Sequence, residues 1–96
     1  MIIKFKRWSC TLKWGRYENG RIALQLMDVH GHECIAKATV NLPDHPLKWD
    51  EVFIKDWSKN EGMLKALEQA GIIDPNGMEV TGHTRAFRCR LLVQPG

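Results

Sequence analysis

No stretch of this chain approaches the ~18–20 consecutive apolar residues of a membrane-spanning helix, so an integral membrane protein is not expected. The opening Met1–Trp8 carries Lys4, Lys6 and Arg7 among its apolar residues and lacks the apolar h-region of a secretory signal; export by that route is not expected either. Cysteine is scarce, odd in number (three) and without paired spacing, which argues for reduced thiols in a cytosol rather than a disulfide framework. There is no Gly-x-x-x-x-Gly-Lys-Ser/Thr loop and no Gly-x-Gly-x-x-Gly, so phosphate-loop and dinucleotide chemistry lose their usual scaffold. Neither Cys-x-x-Cys nor His-x-x-x-His occurs, and no repeat or linker divides the 96 residues. A chain of that length suffices for one core and is too short for two, so residues 1–96 are expected to form a single domain.

What is present reads as a small globular protein with 44% apolar and 26% charged residues. Residues 3–14 alternate, with Trp8, Cys10, Leu12 and Trp14 on one side and Arg7, Ser9, Thr11 and Lys13 on the other, the period of a half-buried strand. Asn19-Gly20 marks a turn, and Ile22, Leu24 and Leu26 alternate after it. His30-Gly31 marks a second turn. The strand from Glu33 to Leu42 then aligns Cys34, Ala36, Ala38, Val40 and Leu42 inward, with Lys37, Thr39 and Asn41 facing solvent. Pro43 and Pro46 stop the sheet, and residues 52–55 form a short fourth strand.

Ser58-Lys59-Asn60-Glu61 fits a capping box, and Met63, Leu64, Leu67 and Ala70 follow at helical spacing, which predicts one helix over about residues 59–70 ending at Gly71. Asp74-Pro75-Asn76-Gly77 has the composition of a turn. Met78 and Val80 share a face, whereas Phe87, Cys89, Leu91 and Val93 have the opposite parity. A bulge or break near Gly82 is therefore expected between two strands. The sum is an α+β fold: an antiparallel β-sheet, β-β-β-β-α-β-β, with a single α-helix packed on one face.

Charge is unevenly placed. Residues 1–30 hold six cations against two carboxylates, residues 31–80 five against nine, and residues 81–96 hold Arg85, Arg88 and Arg90 unopposed. If the two basic ends lie side by side, their fields add. Lys4, Lys6, Arg7, Lys13, Arg16, Arg85, Arg88 and Arg90 are accordingly the charged candidates for partner binding. Among the four tryptophans, Trp8, Trp14 and Trp57 are placed in the core by parity or by position. Trp49, in a loop after Pro46 and beside Asp50, is the exposed one and the candidate interface anchor.

Three blocks of the chain, Asn19–Leu26, Ala36–Pro43 and Val52–Leu64, resemble those of an uncharacterised family of small proteins carried on bacterial phages, plasmids and integrative elements. The resemblance spans about residues 17–92. It implies a bacterial cytosol and a mobile-element gene, and it carries no assigned activity, cofactor or catalytic residue. Small non-enzymatic proteins of such elements include inhibitors of host defence, anti-CRISPR proteins among them.

Candidate chemistry is sparse. His30, His32, Glu33 and Cys34, with Cys10, His45, His83 and Cys89 at a distance, are zinc-ligand types without zinc spacing, and a polar hairpin tip explains the segment as well. The three thiols fall on faces expected to be inward, without an elbow or an oriented acid. Asp50, Glu51 and Asp56 cluster without an ordered ligand pattern. No enzyme activity, cofactor or metal is expected. The expected function is a non-enzymatic protein that binds and inhibits or modulates a host protein or ribonucleoprotein complex, in the manner of an anti-CRISPR inhibitor. The alternative is a non-specific nucleic-acid-binding accessory protein that uses the basic terminal strands; one helix excludes a helix-turn-helix. Monomer and homodimer both stay open.

Overall fold

A computed structural model describes residues 1–81 and 84–95. The expected break near Gly82 and the candidate ligand His83 lie outside the described residues. Seven antiparallel strands and one α-helix are arranged as two sheets among those residues, an α+β fold. The first sheet is a meander of β1 (Ile3–Phe5), β2 (Trp8–Arg16), β3 (Ile22–Asp28) and β4 (Cys34–Lys37). The second is ordered β5-β7-β6, from Glu51–Lys55, Thr84–Leu91 and Ile73–Thr81.

The first expected strand is a hairpin. Lys6 takes a positive φ of 54°, and the chain reverses at Lys6-Arg7 so that Phe5 pairs with Trp8 and Ile3 with Cys10. The two-residue turn lets odd-numbered Ile3 and Phe5 join even-numbered Cys10 in the core. Asn19-Gly20 does form the β2–β3 turn: Gly20 has φ 85°, its N–H reaches the Tyr17 carbonyl at 2.9 Å, and Asn19 Oδ1 accepts from the Arg21 N–H.

Between β3 and β4 the register shifts after Leu26, so Leu26 pairs with Ala36 but Met27 with Cys34. Ile35 is the extra residue of a bulge. It turns Cys34 onto the outer face beside Met27, which corrects its expected inward placement; Cys34 is exposed while Cys10 and Cys89 are buried.

Thr39 departs further from the alternation. It is 4% exposed, and its Oγ1 accepts the Leu24 N–H at 3.1 Å, the place a β4 carbonyl would otherwise take. The Thr39 backbone is thereby released from β3 and bridges Ile54 of β5 instead. Ala38 serves both sheets, its N–H donating to Leu24 O and its O accepting from Lys55 N, each at 2.8 Å. This crossover is the seam of the molecule, and it ends β4 at Lys37, well short of Leu42.

The capping box does not form. Ser58–Asn60 is a 3-10 turn, Ser58 has φ 57°, and α1 starts later, at Met63–Gln69, behind Gly62. Asp56 Oδ1 accepts the Leu64 N–H at 2.9 Å, taking the role expected of Ser58. The stop is as expected: Gly71 has φ 75°, with Gly71 N–H to Glu68 O and Ile72 N–H to Leu67 O, the paired bonds of a Schellman ending. Met63 and Leu67 are buried, and α1 lies against β1, β5 and β6, all three of them edge strands of their sheets. Buried residues of both sheets and the helix, including Phe5, Leu24, Leu26, Ile54, Met63 and Cys89, form one core cluster.

Residues 74–77 are not a turn. They belong to edge strand β6, where a bulge between Pro75 and Gly77 accommodates a residue that cannot donate to the ladder. Trp8 and Trp14 pack half-buried against the core, as their parity led one to expect, and Trp57 is half-buried.

Candidate functional site

The segment from residue 41 to 50 roofs the outer face of the second sheet, and the positions that hold it fix Trp49. Arg21 donates from its guanidinium to Leu42 O and His45 O, both at 2.7 Å. The His45 ring meets Phe53 edge-on, centroids 6.1 Å apart, and its Nδ1 lies 3.2 Å from Glu79 Oε2. Glu51 is 8% exposed and accepts from the Lys48 N–H at 2.9 Å and from Asn76 Nδ2 at 2.8 Å. Those two bonds and the neighbouring Arg88 hold its carboxyl below the usual carboxylate range, the Lys48 N–H contributing most and burial opposing.

Trp49 sits inside this clamp. Glu51 N–H returns to Lys48 O at 3.1 Å, and Asp50 O accepts the Leu91 N–H at 2.8 Å, so the backbone on both sides is fixed. The indole is nonetheless 89% exposed. It lines two open depressions together with Arg16, one of about 390 Å³ running to Leu92 and Val93 and one of about 230 Å³ running to Arg21 and Leu47. Leu92, in the first depression, is itself 49% exposed. The site therefore combines a tryptophan on a fixed backbone with an arginine, the residue types that dominate binding energy at protein interfaces, beside an exposed leucine.

The remaining candidates are dispersed. Lys4 and Lys13 stand exposed on β1 and β2. Lys6 donates to Lys59 O at 2.8 Å, and the Arg7 guanidinium lies 4.8 Å from the centre of the Trp8 ring. Arg16 donates to Gly20 O at 2.9 Å, and Arg85 is exposed at the start of β7.

Arg88 and Arg90 are not unopposed. Arg88 lies 3.3 Å from Glu79 Oε1 and 4.0 Å from Glu51 Oε2, and Arg90 is 3.7 Å from Asp74. Arg88 also passes so close to Gly77 that a Cβ there would stand 2.6 Å from its Nη2. Nor do the basic strands adjoin: β1 and β2 begin the first sheet, while β7 is flanked by β5 and β6 in the second. The structure brings Arg16, not the β7 arginines, to the C-terminal segment.

Sequence reasoning missed Leu92, whose parity placed it nowhere in particular, and Lys37, which was expected on the solvent side without a role. Cross-strand register was the signal needed for Lys37.

Several of the candidate chemical groups are buried or have structural duties. Burial, with a contribution from Asp28, raises the Cys10 thiol. The Cys89 thiol is pushed up to about 12 by burial, with Glu68, Asp74 and Glu51 adding to it. Both are held protonated, away from the nucleophilic thiolate. Of the acidic cluster, Glu51 clamps the roof and Asp56 caps α1. Among the described residues no three His, Cys, Asp or Glu side chains converge as metal ligands, and no helix is long and apolar enough to cross a membrane. Compared with protein-family models, with curated proteins and with solved structures, the chain has no match in any of the three.

Proposed function

We propose that this is a non-enzymatic binding protein that docks onto a host protein or nucleoprotein complex through the surface formed by Trp49, Arg16 and Leu92, and inhibits or modulates it. The observation that carries this reading is Trp49: a large aromatic side chain 89% exposed on a backbone bonded on both flanks. A scattered exposed apolar residue is ordinary. An indole presented on a clamped loop beside an arginine and a second exposed aliphatic side chain loses little entropy on docking, and that is the condition for an anchor. The resemblance to mobile-element proteins supports the class of partner, a host-defence complex of the kind that anti-CRISPR inhibitors target.

The test is a pulldown from bacterial cytosol with wild-type and Trp49→Ala baits, followed by an activity assay on the recovered complex. Trp49→Ala is expected to lose the partner by about 30-fold or more, the ~2 kcal/mol of a hot-spot residue. Its melting temperature should stay within about 2 °C of wild type, because the indole packs on so little. Equal recovery by the two baits, or recovery with no change in the partner's activity, overturns the reading.

A further inference from the structure

The outer face of the first sheet carries a second, differently built surface. Lys13 stands opposite Gln25, and Gln25 opposite Lys37, in one cross-strand row. With strands about 4.8 Å apart, the two lysine stems rise roughly 10 Å from one another with an amide between them. The next row on the same face is Gly15 opposite Ala23, where nothing larger than a methyl group projects. The face consequently drops into an open depression of about 290 Å³. Tyr17 and Thr39 close it, their hydroxyls 2.9 Å apart, and Arg16 reaches its rim.

The charge of this depression is one-sided. Lys13 and Lys37 line it from this face, while Arg16, whose register partner is the inward-facing Ile22, only borders it; no carboxylate among the described residues lines it, and neither lysine belongs to an ion pair there. Arg88 and Arg90 on the second sheet face acids; Lys13 and Lys37 do not. Farther along the face comes the row of Thr11, Met27 and Cys34, and beyond it Lys4 stands opposite Ser9, a further exposed ammonium on the same face. The helix lies elsewhere, against β1, β5 and β6, so it is not presented on this face to enter a duplex groove.

We infer that this face binds the phosphate backbone of single-stranded nucleic acid, with one phosphodiester seated between Lys13 and Lys37 and the strand directed towards Lys4. Phosphate oxygens supply the counter-charge that the protein does not, and the Gln25 amide and the Tyr17 hydroxyl can donate to them. Open sheet faces hold single strands in this manner, and the contacts are to backbone, so affinity is salt-dependent and indifferent to sequence. This inference rests on Lys13 and Lys37, which lie outside the Trp49 surface, although Arg16 borders both depressions.

The experiment is fluorescence anisotropy with a fluorescein-labelled oligothymidylate of fifteen nucleotides, titrated between 25 and 200 mM salt. Lys13, Lys37 and Lys4 at about 0.7 counterions each predict a log–log slope near −2. Lys13→Glu with Lys37→Glu should weaken binding at least tenfold and reduce the slope by about 1.4. Both positions are exposed, and so are Lys59 and Lys65. Lys59→Glu with Lys65→Glu makes the same change in net charge and should stay within threefold of wild type, as should Trp49→Ala. Circular dichroism melts establish that each variant is folded. Absence of binding at 25 mM salt overturns the inference, as does an equal loss in the Lys59/Lys65 variant, which would make the effect one of net charge. Displacement of the strand by millimolar inorganic phosphate would assign the depression to a small phosphoanion, and equally good competition by a duplex would refute the single-strand assignment.

Discussion

Replacing Thr39 with valine keeps the volume of the side chain and removes one oxygen, which makes it the sharpest probe of the seam between the sheets. Thr39 Oγ1 accepts the Leu24 N–H at 3.1 Å and lies 2.9 Å from the Tyr17 hydroxyl, at a residue only 4% exposed. With valine, the Leu24 N–H loses its acceptor in a place water does not reach. An unsatisfied buried donor costs about 1–3 kcal/mol. Tyr17 is half-buried and recovers part of its loss from solvent, so a total of about 2–3 kcal/mol follows, less a few tenths for the better strand propensity of valine. For a domain of this size each kcal/mol moves the melting temperature by about 4–8 °C, which puts the expected fall at about 10–20 °C. Thermal melts followed by circular dichroism measure it. Tyr17→Phe, which leaves the Leu24 bond in place, should cost under about 1 kcal/mol by the same assay. Amide hydrogen exchange adds a local readout: Leu24 and Lys55, on either side of the crossover, should exchange faster in Thr39→Val. A valine variant that melts within 3 °C of wild type, or a Tyr17→Phe variant that loses as much, would refute the argument that the Thr39 oxygen replaces a strand carbonyl.

Two further outcomes follow from the buried titratable groups. In native protein a disulfide reagent should titrate one thiol rapidly, Cys34, and all three only after denaturation, because Cys10 and Cys89 are buried with raised values; rapid reaction of two or more native thiols would contradict the placement of Cys34 by the β3–β4 bulge. Glu51 is depressed in the folded protein, so it stabilises above the ordinary glutamate value near ~4.3 and that contribution is lost as pH falls through its folded value. Urea midpoints should therefore show Glu51→Gln destabilised by about 1–2 kcal/mol at pH 7, with the gap closing below about pH 4; a gap unchanged at pH 3 would mean that the charge of Glu51 contributes nothing.

The elements that sequence alone revealed are those set by local chemistry. Asn19-Gly20 supplies a positive φ, Gly71 ends a helix, and the alternation of Ile22, Leu24 and Leu26 needs only a buried face. The misplacements share a different cause, since each depends on a partner distant in sequence. Lys6 takes a positive φ with no glycine to announce it, because pairing Ile3 with Cys10 and Phe5 with Trp8 compels the turn. Thr39 reads as solvent-facing by parity, yet its hydroxyl is needed by Leu24, fifteen residues earlier. The capping-box pattern at Ser58 is matched in letters and defeated by Asp56, which reaches the first turn of the helix from outside it. Asp74–Gly77 has turn composition because a bulged edge strand tolerates the same residues as a turn.

The same distinction governs the candidate surfaces. Counting cations along the chain groups Lys4 to Arg16 with Arg85 to Arg90, but a field depends on which charges remain unneutralised in space. Pairing removes Arg88 and Arg90 into Glu51, Glu79 and Asp74, and Arg21 and Lys6 donate to backbone carbonyls that hold the roof and the 3-10 turn. Lys13 and Lys37, which the sequence separates by a whole strand, become the pair without a counter-charge once the register sets Gln25 between them. A cation that holds the fold is a poor probe of binding, because its loss perturbs both. The side chains of Lys13, Lys37 and Trp49 make no hydrogen bond or ion pair among the described residues, so substitutions there report on what the protein binds and leave the scaffold to be tested separately, at Thr39 and Glu51.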